Sequence, residues 1–150
     1  MSSVDGNIDA TDANCAPVPP PLTCDGRRAT IVGTLGNDTF TGTPGNDVIT
    51  GRAGDDVIDG AGGNDVVCGG NGNDTLNGGP GRNILRGGNG NDTVNGGDSR
   101  DRLYGGPGDD ALNGGNSVDK LHGGTGTDIC DGQAGSDVHL GGCETLTNVP

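Results

Sequence analysis

Aromatic residues are almost absent from this chain, which has one Phe, one Tyr and no Trp in 150 residues. Hydrophobic residues of all kinds make up 28% of the sequence, whereas glycine alone contributes 34 residues. A chain of this length is one domain, or one domain with a tail, but this composition cannot fill an ordinary globular core. Low hydrophobicity with a net charge of −13 is typical of disorder, so an ordered structure requires a regular pattern.

Long apolar runs and basic residues are also scarce. No apolar stretch approaches the roughly 20 residues of a membrane-spanning helix. Eight Lys and Arg face 21 Asp and Glu, which disfavours binding to nucleic acid or to anionic membranes. No nucleophile elbow, HExxH zinc motif or phosphate loop is present, and His122 and His139 lie where strands are predicted. The sequence therefore predicts that the chain is not an enzyme, binds no nucleic acid and does not insert into a membrane.

What the sequence does contain is a nine-residue repeat that keeps its phase from residue 33 to residue 140. One of the twelve units reads Gly69-Gly70-Asn71-Gly72-Asn73-Asp74-Thr75-Leu76-Asn77. Nine units keep Gly-x-Asp at positions four to six, and the others read Gly81-Arg82-Asn83, Ser99-Arg100-Asp101 and Ser117-Val118-Asp119. One Gly-x-Asp is an ordinary turn pattern, but twelve turns in register indicate a repeat architecture.

Position eight of the unit is where the few apolar residues recur. Its occupants are Phe40, Ile49, Ile58, Val67, Leu76, Leu85, Val94, Leu103, Leu112, Leu121, Cys130 and His139. Positions one to six have the glycines of a turn, and positions seven to nine alternate as a short strand. Two units then form one coil with a thin core between two sheets, and six coils would extend about 29 Å at roughly 4.8 Å per coil.

Position six of the unit is almost always Asp. Only one acidic residue of the chain is Glu (Glu144), and eleven of the Asp residues occupy this single position. Short carboxylates at one phase suit a hard cation, since Ca²⁺ takes six to eight oxygen ligands. A metal-free solenoid shaped by Asx-Gly turns is the alternative, but neutral Asn would shape such turns equally well.

The unit G-G-x-G-x-D-x-U-x, where U is a large apolar residue, resembles the hemolysin-type calcium-binding repeats, also called RTX repeats, over about 108 residues. The resemblance implies an all-β parallel β-roll, a right-handed β-solenoid with two nonapeptide repeats per coil and calcium in the turns. It also implies that turn carbonyls and the position-six Asp bind the ions. The expected ligands are Asp38, Asp56, Asp74, Asp92, Asp110 and Asp128 on the odd edge, and Asp47, Asp65, Asp101, Asp119 and Asp137 on the even edge.

The even edge carries all three degraded units, so its calcium ladder is expected to break near Asn83. Roughly eight Ca²⁺ ions are expected in total, five on the odd edge and three on the even edge. Aligned carboxylates repel one another without metal, so folding is expected to be coupled to calcium.

The cysteines lie at both ends of the repeat. An N-terminal segment with a proline cluster, residues 1–32, precedes the roll at 33–140, and residues 141–150 form a C-terminal cap and tail. The outward residues Val48, Val66 and Ile84 need a cover, so the N-terminal segment is expected to pack there through Cys24–Cys68. Cys15–Cys24 is the alternative pairing. A Cys130–Cys143 bridge would close the far end of the solenoid.

Function is predicted only in outline. No signal peptide is visible at the start of the chain, so secretion or a cell-surface location is expected from the repeats and from the five cysteines. The main hypothesis is a calcium-binding structural, surface, adhesive or self-assembling module, with self-association end to end or through Cys15. The alternatives are a glycan- or ice-binding module, or a folding and export appendage of a larger secreted enzyme.

Overall fold

The computed structural model describes residues 20–147, which form a parallel β-solenoid of about six coils. Within that range all regular structure is β-strand. The predicted all-β roll with two repeats per coil is therefore confirmed. Residues 1–19, which include Cys15 and the proline cluster, and residues 148–150 lie outside the described part of the chain.

Sixteen strands form one hairpin and two seven-stranded sheets. The antiparallel hairpin pairs β1 (Thr23–Cys24) with β2 (Arg27–Arg28). The even sheet contains, in spatial order, β3 (Ile31–Val32), β5 (Val48–Ala53), β7 (Val66–Asn71), β9 (Ile84–Asn89), β11 (Arg102–Pro107), β13 (Lys120–Thr125) and β15 (Val138–Gly141). The odd sheet contains β4 (Thr39–Thr41), β6 (Val57–Asp59), β8 (Thr75–Asn77), β10 (Thr93–Gly97), β12 (Ala111–Gly115), β14 (Ile129–Asp131) and β16 (Thr145–Thr147).

The strands within each sheet are parallel and pair residues that are one coil apart. Val94, for example, pairs with Leu76 on one side and with Leu112 on the other. Five strands of the even sheet are six residues long, which is longer than the three-residue strands that the sequence predicts. The extra residues occupy positions one to three of the following unit, where backbones of adjacent coils continue to pair, as in Gly70 with Gly88.

The core is formed by side chains from position eight of the repeat, in one row from each sheet. The fully buried members are Ile49, Ile58, Val67, Leu76, Leu85, Val94, Leu103, Leu112, Leu121 and Cys130. Phe40 is only partly buried at the N-terminal end, and His139 is half-buried and lies outside this cluster. Two facing rows of medium-sized side chains thus replace the large aromatic core that the composition excludes.

The N-terminal hairpin lies against the outer face of the even sheet. Cys24 is 1% exposed and is disulfide-bonded to Cys68, which leaves it no free sulfur for a Cys15 pairing. The neighbouring Val66 is also only 1% exposed. Asp25 of the hairpin turn accepts hydrogen bonds from the Arg86 guanidinium at 2.6 and 2.9 Å.

The C-terminal end carries a second disulfide, between Cys130 of the core and Cys143. The chain then adds β16 to the odd sheet, where Leu146 pairs with Cys130. Residues 20–147 include no helix with the length and apolarity needed to span a membrane.

Candidate metal centre

The position-six carboxylates form a hydrogen-bonded ladder along each edge of the solenoid. One carboxylate oxygen, Oδ1, accepts the backbone N–H of the position-six residue in the preceding coil. Asp92 Oδ1 accepts from Asp74 N–H at 2.8 Å, and Asp74 Oδ1 accepts from Asp56 N–H at the same distance. This bond fixes the orientation of the carboxylates from Asp56 onward, because the backbone of the preceding coil holds one oxygen in place.

The second oxygen, Oδ2, has no hydrogen-bond partner in nine of these carboxylates. They are Asp56, Asp65, Asp74, Asp92, Asp101, Asp110, Asp119, Asp128 and Asp137. All except Asp137 belong to side chains that are at most 2% exposed. A buried, unpaired carboxylate oxygen is costly, and the repetition of this cost in nine turns indicates a cationic partner.

Asn83 shows what the Oδ2 position faces. Its amide nitrogen occupies the same place beside Gly78 that Asp Oδ2 occupies beside the first glycine of other units. That nitrogen donates to the carbonyl oxygens of Gly79 and Gly81, at 3.2 and 3.1 Å. In an Asp-bearing turn, the equivalent carbonyls at positions two and four therefore face another acceptor, and oxygens that converge without a donor suit a hard cation.

The first glycine of each unit keeps the space beside Oδ2 open. A methyl group built on Gly60 would lie 2.7 Å from Asp65 Oδ2 and 2.8 Å from the carbonyl oxygen of Gly78 in the next coil. The same relationship holds at Gly96, with Asp101 Oδ2 at 2.7 Å and the Gly114 carbonyl oxygen at 2.6 Å. Glycine is required here because a larger residue would contact the ligand oxygens of two coils.

The electrostatics of the ladder match this geometry. Burial raises the pKa of Asp92 to about 7, and repulsion from Asp110 and Asp74 adds to the effect, although the N–H of Asp74 opposes it. Burial likewise raises the pKa of Asp101 to about 7 and the pKa of Asp74 to about 6. Without metal, Asp92 and Asp101 are therefore partly protonated near neutral pH, and a bound cation would displace those protons.

The first coil differs from the others. Asp38 Oδ2 accepts from the Thr34 backbone N–H at 2.6 Å and from its hydroxyl at 3.0 Å. Asp47 Oδ2 accepts the equivalent bonds from Thr43 at 2.7 and 2.8 Å. Among the eleven predicted ligands, Asp38 and Asp47 are thus the two whose second oxygen already has donors. Threonine at position two is the sequence signal that marks this difference.

Two further groups extend the ladders beyond what the sequence pattern predicts. Glu144 Oε2 accepts the Asp128 N–H at 2.6 Å, so this single Glu takes the place of a seventh Asp at the odd edge. In the sequence, the glycine pair Gly141-Gly142 before Glu144 indicates this additional turn.

A second ladder of hydrogen bonds, exposed to solvent, runs through position five of the repeat. Its bonds run in the opposite direction, as in the bond from Asn73 N–H to Asp55 Oδ1 at 2.8 Å.

A separate group of potential ligands lies at the C-terminal end. One atom each from Cys130, His139 and Cys143 lie within 4.8 Å of one another. The two sulfurs are disulfide-bonded, so they are not thiolates and do not supply metal ligands in this state. The His139 nitrogens have no hydrogen-bond partner among the described residues.

Stacked turns of buried, unpaired carboxylate oxygens define the molecule as a parallel β-solenoid with cation sites along its edges. The family model of the RTX calcium-binding nonapeptide repeat matches residues 32–67, 69–103 and 104–138. The chain therefore belongs to the RTX calcium-binding nonapeptide repeat family and is a calcium-binding structural module. A search of curated proteins found no match.

Proposed function

We propose that this chain is an extracellular structural module whose folding is driven by Ca²⁺. The observation that supports the proposal is the set of nine Oδ2 atoms without hydrogen-bond partners. Each would supply a charged ligand, and the turn carbonyls of the same coil and the next coil would complete the oxygen shell. The five odd-edge sites would form an unbroken series from Asp56 to Asp128, whereas Asn83 would interrupt the even edge.

The metal dependence follows from the thin core. Ten buried side chains of moderate size form the central cluster, and two rows of carboxylates are stacked beside it. Without a cation, the folded state contains mutual repulsion and unpaired buried oxygens, whereas the unfolded chain hydrates each carboxylate. Calcium binds the folded state preferentially, so its binding free energy becomes folding free energy.

Millimolar calcium and disulfides both fit an extracellular setting. Two disulfides, Cys24–Cys68 and Cys130–Cys143, lie at opposite ends of the solenoid, and such bonds persist in oxidising compartments. We propose that the module is secreted or displayed at the cell surface and has no catalytic activity of its own.

A site that stacks a glycan on an aromatic ring has less support, because Tyr104 is covered by Arg86 at 4.3 Å. An ice-binding face has less support because the outward position seven is irregular, with Ala111, Arg102 and Lys120 among its residues.

End-to-end self-association is the second element of the proposal. The last strand of the odd sheet, β16, pairs with β14 on one side only. Large apolar side chains are exposed at this end, with Leu146 at 50%, Leu140 at 47% and Val138 at 42%. An unpaired strand edge beside apolar side chains is a template for a further strand, so this end fits a second copy of the chain.

Far-UV circular dichroism during a calcium titration tests the proposal. We expect a transition from coil to β-sheet as Ca²⁺ rises from chelator to about 10 mM, and no transition with Mg²⁺, which demands a smaller octahedral shell. Size-exclusion chromatography with light scattering at both ends of the titration would detect association of the folded form. An unchanged β-sheet spectrum in chelator would refute metal-coupled folding.

A further inference from the structure

The basic residues of this acidic chain are concentrated on one face. Only eight Lys and Arg are present, and five of them line a single cleft of about 390 Å³ between the hairpin and the even sheet. These five cleft cations are Arg27, Arg82, Arg100, Arg102 and Lys120. The cleft lies beside the even-edge turns where Gly-x-Asp is degraded, and Asp101 is the one carboxylate in its lining.

The cleft cations form two stacked rows. Arg82 and Arg100 occupy position five of consecutive even units, where the N-terminal units carry Asn46 and Asn64 instead. Arg102 and Lys120 occupy position seven and are directly paired across β11 and β13. Neighbouring coils are only about 4.8 Å apart, so each row places like charges side by side, which is destabilising in a sheet.

The hairpin adds the fifth cation from the opposite side. Arg27 pairs with Cys24, whose side chain faces the even sheet because it is bonded to Cys68. Paired residues of an antiparallel hairpin point to the same face, so Arg27 also faces the sheet and lines the cleft. The next residue, Arg28, points away and does not line it.

None of the five cleft cations forms a salt bridge within residues 20–147, although the charge of Arg100 partly offsets the effect of burial, which raises the pKa of Asp119. Among residues 20–147 the only salt bridge joins Arg86 to Asp25, and Arg86 lies outside the cleft lining. On this face, the Arg86 side chain that holds the hairpin to the sheet is thus neutralised by a carboxylate. The five cleft cations remain together, without a salt bridge within residues 20–147, around a cavity open to solvent.

We propose that this cleft binds a ligand that carries two or more oxyanion groups. Guanidinium groups match the oxygens of sulfate and phosphate in paired hydrogen bonds, and two rows of cations require more than one such group. The cleft volume lies within the range of small-molecule sites, roughly 300–1,000 Å³, which suits a charged disaccharide better than a single inorganic ion. The ligand class is thus a small molecule with two or more sulfate or phosphate groups, for which charged sugars serve as probes.

Isothermal titration calorimetry in 10 mM CaCl₂ tests the site, with the circular dichroism spectrum of each variant confirming the β-roll. The probes are sodium sulfate, a trisulfated disaccharide, a sugar bisphosphate and the uncharged parent disaccharide. We expect at least one of the two multiply charged sugars to bind at least tenfold more tightly than sulfate, and the uncharged sugar not to bind. The tighter of the two charged sugars identifies the preferred oxyanion. Failure of both to bind would overturn the proposal.

A matched pair of variants separates a built site from general charge attraction. Arg27→Gln and Arg28→Gln remove the same charge from adjacent residues of β2, but only Arg27 lines the cleft. We expect Arg27→Gln, and likewise Arg102→Gln, to weaken binding of the preferred sugar at least fivefold, and Arg28→Gln to change it less than twofold. Equal losses for Arg27→Gln and Arg28→Gln would overturn the proposal.

Discussion

The side-chain amide of Asn83 donates to the Gly79 carbonyl oxygen at 3.2 Å, and so fills with a hydrogen-bond donor the place where other turns hold an unpaired oxygen. Its Oδ1 still accepts the Asp65 N–H at 3.0 Å, as an Asp would. The amide nitrogen that replaces a carboxylate oxygen therefore satisfies the carbonyls of its own turn, where we propose that the other turns bind a cation. This relationship gives the first prediction.

Asn83→Asp should create an additional calcium site on the even edge. We expect the calcium stoichiometry, measured by calorimetry, to rise by one ion, and any residual β-sheet in chelator, measured by circular dichroism, to decrease, because a buried carboxylate replaces a neutral amide. Asn89→Asp is the matched control, since it adds the same charge at an exposed position three. The site assignment is wrong if both variants bind the same number of ions as the unmodified protein.

Asp92→Asn should produce the opposite change. The amide keeps an oxygen for the Asp74 N–H and gains a donor for the carbonyls of its own turn, as at Asn83. We expect one calcium ion fewer, and a metal-free roll stabilised by on the order of 1 kcal/mol. Asp109→Asn, at the exposed position five, should alter neither quantity appreciably. Calorimetry in calcium would count the ions, and circular dichroism in chelator would show the gain as a larger β-sheet content of the metal-free variant.

The calcium-free roll should be more stable in mild acid than at neutral pH. The folded chain raises the pKa of Asp74 to about 6 and the pKa of Asp92 and Asp101 to about 7, above the usual value of 3.8. Folded protein therefore binds these protons more tightly than unfolded protein does, and the resulting stability is complete below about pH 4 and is lost as the pH rises through 6 to 7.

Circular dichroism of resin-decalcified protein at several pH values would measure this effect. In the absence of calcium we expect more β-sheet at pH 5 than at pH 8, and we expect the affinity of the folded roll for calcium to fall as the pH is lowered, because protons compete for Oδ2. A β-sheet content that increases with pH in the absence of calcium would contradict the assignment of raised pKa values to these carboxylates.

Ala61→Gly should stabilise the folded protein. Ala61 occupies position two of its unit with φ of 72°, a left-handed conformation that the equivalent Gly79 adopts without strain. Relief of that strain is worth roughly 1 kcal/mol. Ala111→Gly, within β12, should instead destabilise by about 0.5–1 kcal/mol, because glycine loses more conformational freedom on folding. Urea unfolding in calcium would compare the two variants, and a loss of stability in both would contradict the strain argument.

The sequence predicts the coil architecture because glycine, apolar and Asp positions each recur in one phase. Position eight places Leu76 and Leu103 in the core, as expected, and position six places Asp92 beside the neighbouring coil. The nonapeptide pattern alone carries this information, since each coil contacts mainly its neighbours.

Other features depend on contacts that the pattern does not encode. Asp38 Oδ2 has a hydrogen-bond donor because Thr34 brings a hydroxyl to its turn. Glu144 accepts the Asp128 N–H because the last turn places its longer side chain within reach. The cleft that gathers Arg27 with Arg102 requires the hairpin to be placed, although 61 residues separate Asp25 from its partner Arg86. Individual units deviate from the repeat at these places, so the nine-residue period does not predict these contacts.

The pairing of each residue with its counterpart one coil away has a consequence for how such a chain changes in length. Duplication of 18 residues would add a complete coil and leave every downstream side chain on its original face. Insertion of a single nonapeptide would exchange the two faces beyond that point, because Val94 and Leu112 pair across 18 residues. Arg102 and Lys120 would then move away from the hairpin that Cys68 holds in place. The C-terminal half can therefore lengthen by even numbers of units. An odd number would move its basic residues to the face away from the hairpin.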